Sequence, residues 1–130
     1  MKLFLDDVRH PLHCFGYMAG RIGEKSKVYL DSWEIVRNFD EFKDAVESFH
    51  GQIELVSFDH DLSVEHYDHS MMVNPNLMEA YYNKEDREKT GYDCAVWMKE
   101  FYERQNTELP KIMVHSMNPV GTANITNVFQ

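Results

Sequence analysis

The strongest constraint on this chain is the stretch Val56-Ser-Phe-Asp-His-Asp-Leu62. Ile53, Leu55, Val56 and Phe58 are strand formers in a short apolar run, and Asp59, His60 and Asp61 follow without a spacer. Ionised groups are costly to bury unpaired. A strand that stops at two carboxylates and an imidazole therefore suits a metal or phosphate site better than packing. Two other stretches have the same form. Leu3-Phe-Leu-Asp-Asp-Val-Arg9 ends its apolar run in Asp6 and Asp7, and Lys111-Ile-Met-Val-His-Ser116 ends in His115 and Ser116. Three strands with titratable tips form the pattern of an α/β sheet whose site lies at its carboxyl edge.

A length of 130 residues suits one domain spanning 1–130. No apolar run approaches the ~20 residues that span a bilayer, and Met1 leads directly into a strand pattern, so neither a membrane span nor a signal peptide is expected. Cys14 and Cys94 sit in no paired motif, which predicts a reduced, cytoplasmic setting. The formal net charge is -9, from 13 basic and 22 acidic residues. A groove for long duplex nucleic acid is usually basic, so that partner is not expected. A nucleotide or RNA end remains open if a cation offsets the carboxylates.

Lys2 to Leu5 reads as a central strand. His10 to Asp31 contains Gly16, Gly20 and Gly23, and reads as a loop or irregular hairpin because its helical period is poor. Trp33 to Arg37 alternates as a strand. Asn38 is a helix N-cap with Glu41 as its capping-box partner, opening a helix over Phe39–Phe49 that Gly51 ends. Ser63 to Lys89 reads as a polar, irregular insertion with a short helix starting at Pro75 or Asn76, and such a long connection suggests a lid or binding loop. Thr90 caps a helix whose stripe is Cys94, Trp97, Met98, Phe101 and Tyr102, running to about Arg104. Asn118 and Pro119 open a last helix to about Phe129. The expected fold is an α/β three-layer sandwich on a four-stranded parallel sheet in the order 2-1-3-4, with insertions at about 10–31 and 63–89.

Asp6, Asp7 and Asp59 are then metal ligands, with Asp61 as a further ligand or orienting group, because clustered carboxylates call for a divalent cation. Oxygen ligands select Mg²⁺ or Mn²⁺, and the histidines leave Zn²⁺ open. His60 and His115 have the pKa range for proton transfer. Arg9, and in second place Arg37, are phosphate clamps, and Ser116 and Asn118 lie at a helix start that favours anions. Each has a plainer reading: Arg9 as an ion pair, His115 as a structural histidine, Ser116 and Asn118 as caps. His10, His13 and Cys14 with His66 or His69 match no standard zinc spacing. Tyr67, Tyr81 and Tyr82 read as packing within the insertion more than as base-stacking groups.

An acidic pair after the first strand, an Asp after the third and a Ser after the fourth resemble the receiver domain of two-component response regulators. That resemblance implies a flavodoxin-like fold, Mg²⁺ held by the acids and phosphoryl acceptance on Asp59. The receiver's first crossover helix is not evident here, and its fifth strand and preceding lysine are missing. The combination of Leu-Phe-Leu-Asp-Asp-Val-Arg9, Trp-Glu-Ile-Val-Arg-Asn38, Phe-Asp-His-Asp-Leu62, Thr-Gly91 and His-Ser-Met-Asn-Pro-Val-Gly121 is closer to the cyclic-phosphate-processing receiver-like domains of phage and bacteria. This second resemblance implies action on cyclic phosphates, including RNA ends; joined to the residues above, the expectation is a metal-dependent phosphoesterase for cyclic or terminal phosphates of nucleotides or RNA ends, with Asp59, His60 and His115 as catalytic candidates and an RNA-repair or signalling protein as partner. Two alternatives are a receiver phosphorylated on Asp59 and read by a signalling partner, and a non-catalytic binder of cyclic nucleotides.

Overall fold

The computed structural model describes all 130 residues. In chain order the elements are β1 (Lys2–Leu5), α1 (Pro11–Ile22), a 3₁₀ segment (Gly23–Leu30), β2 (Glu34–Val36), α2 (Phe39–Phe49), β3 (Leu55–Phe58), a 3₁₀ turn (Val64–His66), α3 (His69–Val73), α4 (Pro75–Tyr82), α5 (Gly91–Gln105), β4 (Lys111–Val114) and α6 (Pro119–Val128). The four strands form one parallel sheet in the order β2-β1-β3-β4. This is the receiver-like α/β arrangement without a fifth strand. No helix is long and apolar enough to cross a membrane.

Alternation along β1 builds the layers, because successive side chains of a strand point to opposite faces. Leu3 and Leu5 join Val56 and Phe58 in a cluster with Phe42 and Val46 of α2, Cys94 and Met98 of α5 and Ile125 of α6. Phe4, between them, faces the other way and packs with Cys14 and Met18 of α1 and with Tyr29. Each fully buried Phe or Leu contributes about 1.5–3 kcal/mol.

The capping signals act much as the sequence implies. The Asn38 side chain accepts from the Glu41 N–H at 2.9 Å, while Glu41 reaches back to the N–H of Arg37, one residue before the cap. Thr90 and Asp93 close a reciprocal box at the start of α5. Asn118 accepts from the Gly121 N–H at the start of α6, where Pro119 takes the first turn.

One expectation fails. The segment His10 to Asp31 is no loop or hairpin. Residues Pro11–Ile22 form a regular helix, so the first crossover helix is present. Pro11, Cys14 and Met18 lie on its buried face, and an added Cβ at Gly16 or Gly20 would meet no atom within 4 Å. Those glycines lower helix propensity without interrupting the apolar stripe. The insertion is also more ordered than expected. Besides the anticipated helix at Pro75–Tyr82 it holds α3 and a 3₁₀ turn, and Met71, Met78 and Tyr81 pack with Val120 of α6.

Candidate active site

The parallel ladder runs one residue past β1, β3 and β4. Asp6 N–H donates to Val36 O, Asp59 N–H to Leu5 O and His115 N–H to Phe58 O, at 2.9–3.1 Å. The backbone thus sets these three residues side by side at the carboxyl edge, where the sequence placed them. Ligand oxygens of Asp6, Asp7 and Asp59 lie within 4.8 Å of one another. Asp61 lies outside that group, and so do His10, His13, His66 and His69.

Asp6 is fully buried and fully engaged. Its Oδ1 accepts from the N–H groups of Val8 (3.0 Å) and Arg9 (2.8 Å), and its Oδ2 from Arg9 Nε (2.8 Å) and His115 Nε2 (3.0 Å). These four donors match the lone-pair capacity of a carboxylate. Burial works to raise the Asp6 carboxyl, but the His115 bond and the two backbone donors outweigh it and hold the group well below the ordinary range.

Asp59 shares the same hollow but differs chemically. It is 3% exposed, its Oδ1 accepts from the His60 N–H at 2.9 Å, and Arg9 Nη2 stands 3.3 Å from the same atom. No protein group donates to its Oδ2. Burial first, and the Asp6 charge second, push its carboxyl well above the ordinary range despite Arg9. Asp7 is half-buried, accepts from the Tyr67 hydroxyl at 3.2–3.3 Å, and is also raised, by burial and then by Asp6.

Both histidines are buried with both ring nitrogens engaged. His115 Nδ1 lies 2.7 Å from Ser57 Oγ, which lies 2.7 Å from the Tyr29 hydroxyl. A neutral ring suits this chain: Tyr29 donates to Ser57, Ser57 to Nδ1, and Nε2–H to Asp6. Burial lowers the His115 pKa despite Asp6 and raises that of Tyr29 to about 12. Phe4 stacks on the ring at 4.4 Å between centroids. His60, 1% exposed, faces Asp61 Oδ1 through Nδ1 and the Tyr82 hydroxyl through Nε2, each at 2.7 Å. Asn124 Nδ2 donates to that hydroxyl at 3.0 Å and Asn118 Nδ2 to Asp61 Oδ1 at 3.1 Å. The tip is held from both sides by glycines. A Cβ on Gly91 would lie 1.7 Å from Asp59 O, and one on Gly121 would lie 2.4 Å from His60 Cγ.

The remaining basic groups brace backbone. Arg37 Nη1 donates to the carbonyls of Asp6 and Arg9, and Arg21 Nη1 to that of Ser116. Ser116 Oγ accepts from the Asn118 N–H at 3.0 Å, so both residues cap α6 beside the acids. His66 accepts at Nδ1 from the N–H groups of Leu62 and Ser63, leaving Nε2–H for Glu88 O. It is a structural residue of the insertion. Ser57, Tyr29 and Asn124 were not singled out from sequence, and Tyr82, read there as packing within the insertion, instead meets His60 through its hydroxyl. Ser57, a lone hydroxyl in an apolar strand, was the available signal for the His115 chain.

The donor set fits a hard divalent cation at Asp7 and Asp59, where carboxylate oxygens remain free of strong donors. A cavity of about 750 Å³ lies elsewhere, along the β4 edge, lined by Met18, Ile22, Val28 and Ile112 and by no acidic group. Its lining, mostly apolar with Lys25 and Lys111, has none of the acids and imidazoles gathered at the strand tips.

A parallel sheet carrying an acid cluster on the tips of β1 and β3 and a Ser after β4 defines a receiver-like domain. The model for the cyclic-phosphate processing receiver domain family matches residues 1–130, the whole chain, and the protein belongs to that family. No curated protein and no solved structure matches it.

Proposed function

We propose that this domain is a metal-dependent phosphoesterase acting on a cyclic or terminal phosphate of a nucleotide or RNA end. The observation that carries this reading is the convergence of Asp6, Asp7 and Asp59 within 4.8 Å, between two buried histidine–carboxylate pairs. Membership of a family tied to cyclic-phosphate processing supports the same substrate class. In hydrolysis a water oxygen bonds to phosphorus, one ester P–O bond breaks, and a proton passes from the water to the departing oxygen.

Asp7 and Asp59 would hold the cation, Mg²⁺ or Mn²⁺, which when bound would supply positive charge to a phosphoryl group. Asp6 fixes Arg9 and His115 in place. Ser116 and Asn118 order the start of α6, where a phosphate would meet the Val120 N–H, the one first-turn amide left without a protein acceptor. His60 is shut off from solvent, so its proton exchange runs through Asp61, whose Oδ2 receives no protein donor. His115, whose Nε2–H is spent on the fully engaged Asp6, holds that carboxylate and with it Arg9 in position.

The direct test is turnover of a 2′,3′-cyclic nucleotide with Mg²⁺ or Mn²⁺, abolished by a chelator. Absence of product across cyclic and terminal phosphates with both ions overturns the reading. A hydroxylamine-labile adduct on Asp59 after treatment with a small phosphodonor, without turnover, favours a signalling receiver. Saturable binding without product favours a sequestering domain.

A further inference from the structure

The acid cluster already contains a cation, and it belongs to the chain. Arg9 is held firmly at two of its three nitrogens: Nε on Asp6 Oδ2 at 2.8 Å and Nη1 on the Tyr17 hydroxyl at 2.8 Å. Tyr17 is fixed in turn by donation to His115 O at 2.7 Å. The third nitrogen, Nη2, reaches Asp59 Oδ1 only at 3.3 Å, beyond the usual length of a charge-assisted hydrogen bond. The Arg9 side chain is 23% exposed, so solvent reaches part of it beside the buried Asp59. Asp59 therefore has one oxygen shared with a weakly seated guanidinium and another without any protein donor. Asp6, by contrast, has no lone pair left for an ion. The three acids divide into one that anchors the arginine and two that compete for positive charge.

We propose that Arg9 is an exchangeable counter-ion: at rest its guanidinium neutralises Asp59, an incoming divalent cation takes over that charge, and Nη2, kept in place by the rigid fork while Nε stays on Asp6, is released to donate to a phosphate oxygen. This rests on the phosphoesterase reading for its cation. It assigns Arg9 two successive partners and makes metal loading and phosphate capture parts of one event. It also joins the two readings of the residue, ion pair to Asp6 and phosphate clamp.

The test is Mn²⁺ binding followed by the electron paramagnetic resonance signal of the free ion, with wild type, Arg9→Gln, Arg9→Lys and Asp59→Asn. Removing a competing unit charge at contact distance tightens Mn²⁺ binding in Arg9→Gln by about tenfold or more. Arg9→Lys stays near wild type, and Asp59→Asn loses binding. Equal or weaker binding in Arg9→Gln overturns the exchange. A second measurement needs no variant. In ¹⁵N-arginine spectra of wild type, Mg²⁺ perturbs the Arg9 Nη signals and leaves Nε protected, whereas saturation with unchanged Nη signals overturns the proposal. Turnover of a cyclic nucleotide by wild type is scored separately. Turnover with equal Mn²⁺ affinities removes the exchange alone, and neither turnover nor Mn²⁺ binding removes both readings.

Discussion

His115 Nε2 meets Asp6 Oδ2 at 3.0 Å with both side chains fully buried, joining the tips of β4 and β1 over β3. The pair is the fully engaged side of the acid cluster, with no lone pair of Asp6 left over. It ties the sheet edge together and aims Arg9, and its stability depends on the neutral ring keeping a donor at Nδ1.

That dependence is testable at Ser57. Ser57→Ala leaves His115 Nδ1 without its donor and Tyr29 without its acceptor, and buried polar groups left unpaired cost about 1–3 kcal/mol each. Urea unfolding is expected to show a loss of about 2–4 kcal/mol. Adding Tyr29→Phe removes one stranded group, so the double variant loses less than the sum of the singles. Strict additivity would contradict the chain of hydrogen bonds.

Stability is expected to fall on the acid side of neutrality. The folded-state pKa values of His115 and His66 are lowered by burial, so below about pH 6.5 the unfolded chain takes up protons that the folded chain refuses. Stability is present above that pH and declines as the pH drops, by up to about 1.4 kcal/mol per pH unit for each ring. Asp6, held low, adds a further loss below about pH 4. The difference in slope of unfolding free energy between wild type and His115→Gln from pH 7 to pH 5 reports the His115 share, and the variant is expected to have the smaller loss on acidification.

Asp59 has the opposite sign. Its folded-state pKa is raised, so its contribution is fully present below about pH 4 and is lost as the pH climbs through the folded value. Asp59→Asn is therefore expected to raise the melting temperature at pH 8 by about 3–6 °C, the shift that about 1 kcal/mol gives in a domain of this size. A lower melting temperature would show that the Arg9 contact outweighs burial and the neighbouring charge.

The two close-packed glycines differ in what they approach. At Gly91 the added methyl would meet the backbone carbonyl of Asp59 at 1.7 Å, and at Gly121 the side chain of His60 at 2.4 Å. Backbone in a central strand tip cannot retreat, whereas a ring can tilt. Gly91→Ala is expected to cost about 3 kcal/mol or more, and Gly121→Ala about 1–3 kcal/mol, measured by thermal or urea unfolding. The reverse order would mean that His60 is the more rigid of the two.

The sheet order and the meeting of strand tips were legible because apolar runs that stop at acids mark both strand and edge. The caps at Asn38, Thr90 and Asn118 were equally plain, each a short side chain ahead of a helical stripe. The helix at Pro11–Ile22 was not, because Gly16 and Gly20 weaken propensity on its outer face while Pro11, Cys14 and Met18 keep the inner one. Arg9 was read as a clamp or an ion pair, but its bridging of Asp6 and Asp59 depends on where the loop after β1 turns, which spacing alone does not reveal. Tyr82 escaped for a similar reason. Its hydroxyl reaches His60 only because the helices of 63–89 pack against α6.

That last contact has an evolutionary consequence. A surface excursion between a strand and a helix ordinarily tolerates insertions, deletions and rapid substitution. Here its Tyr82 is partnered to a histidine of the sheet edge at 2.7 Å, so changes of length within 63–89 are restricted to those that return this phenol to the same point. Among relatives, divergence in this segment should be concentrated at Val64, Val73 and Leu77, which face solvent, and variants that trim it should have to replace the hydroxyl from another part of the chain.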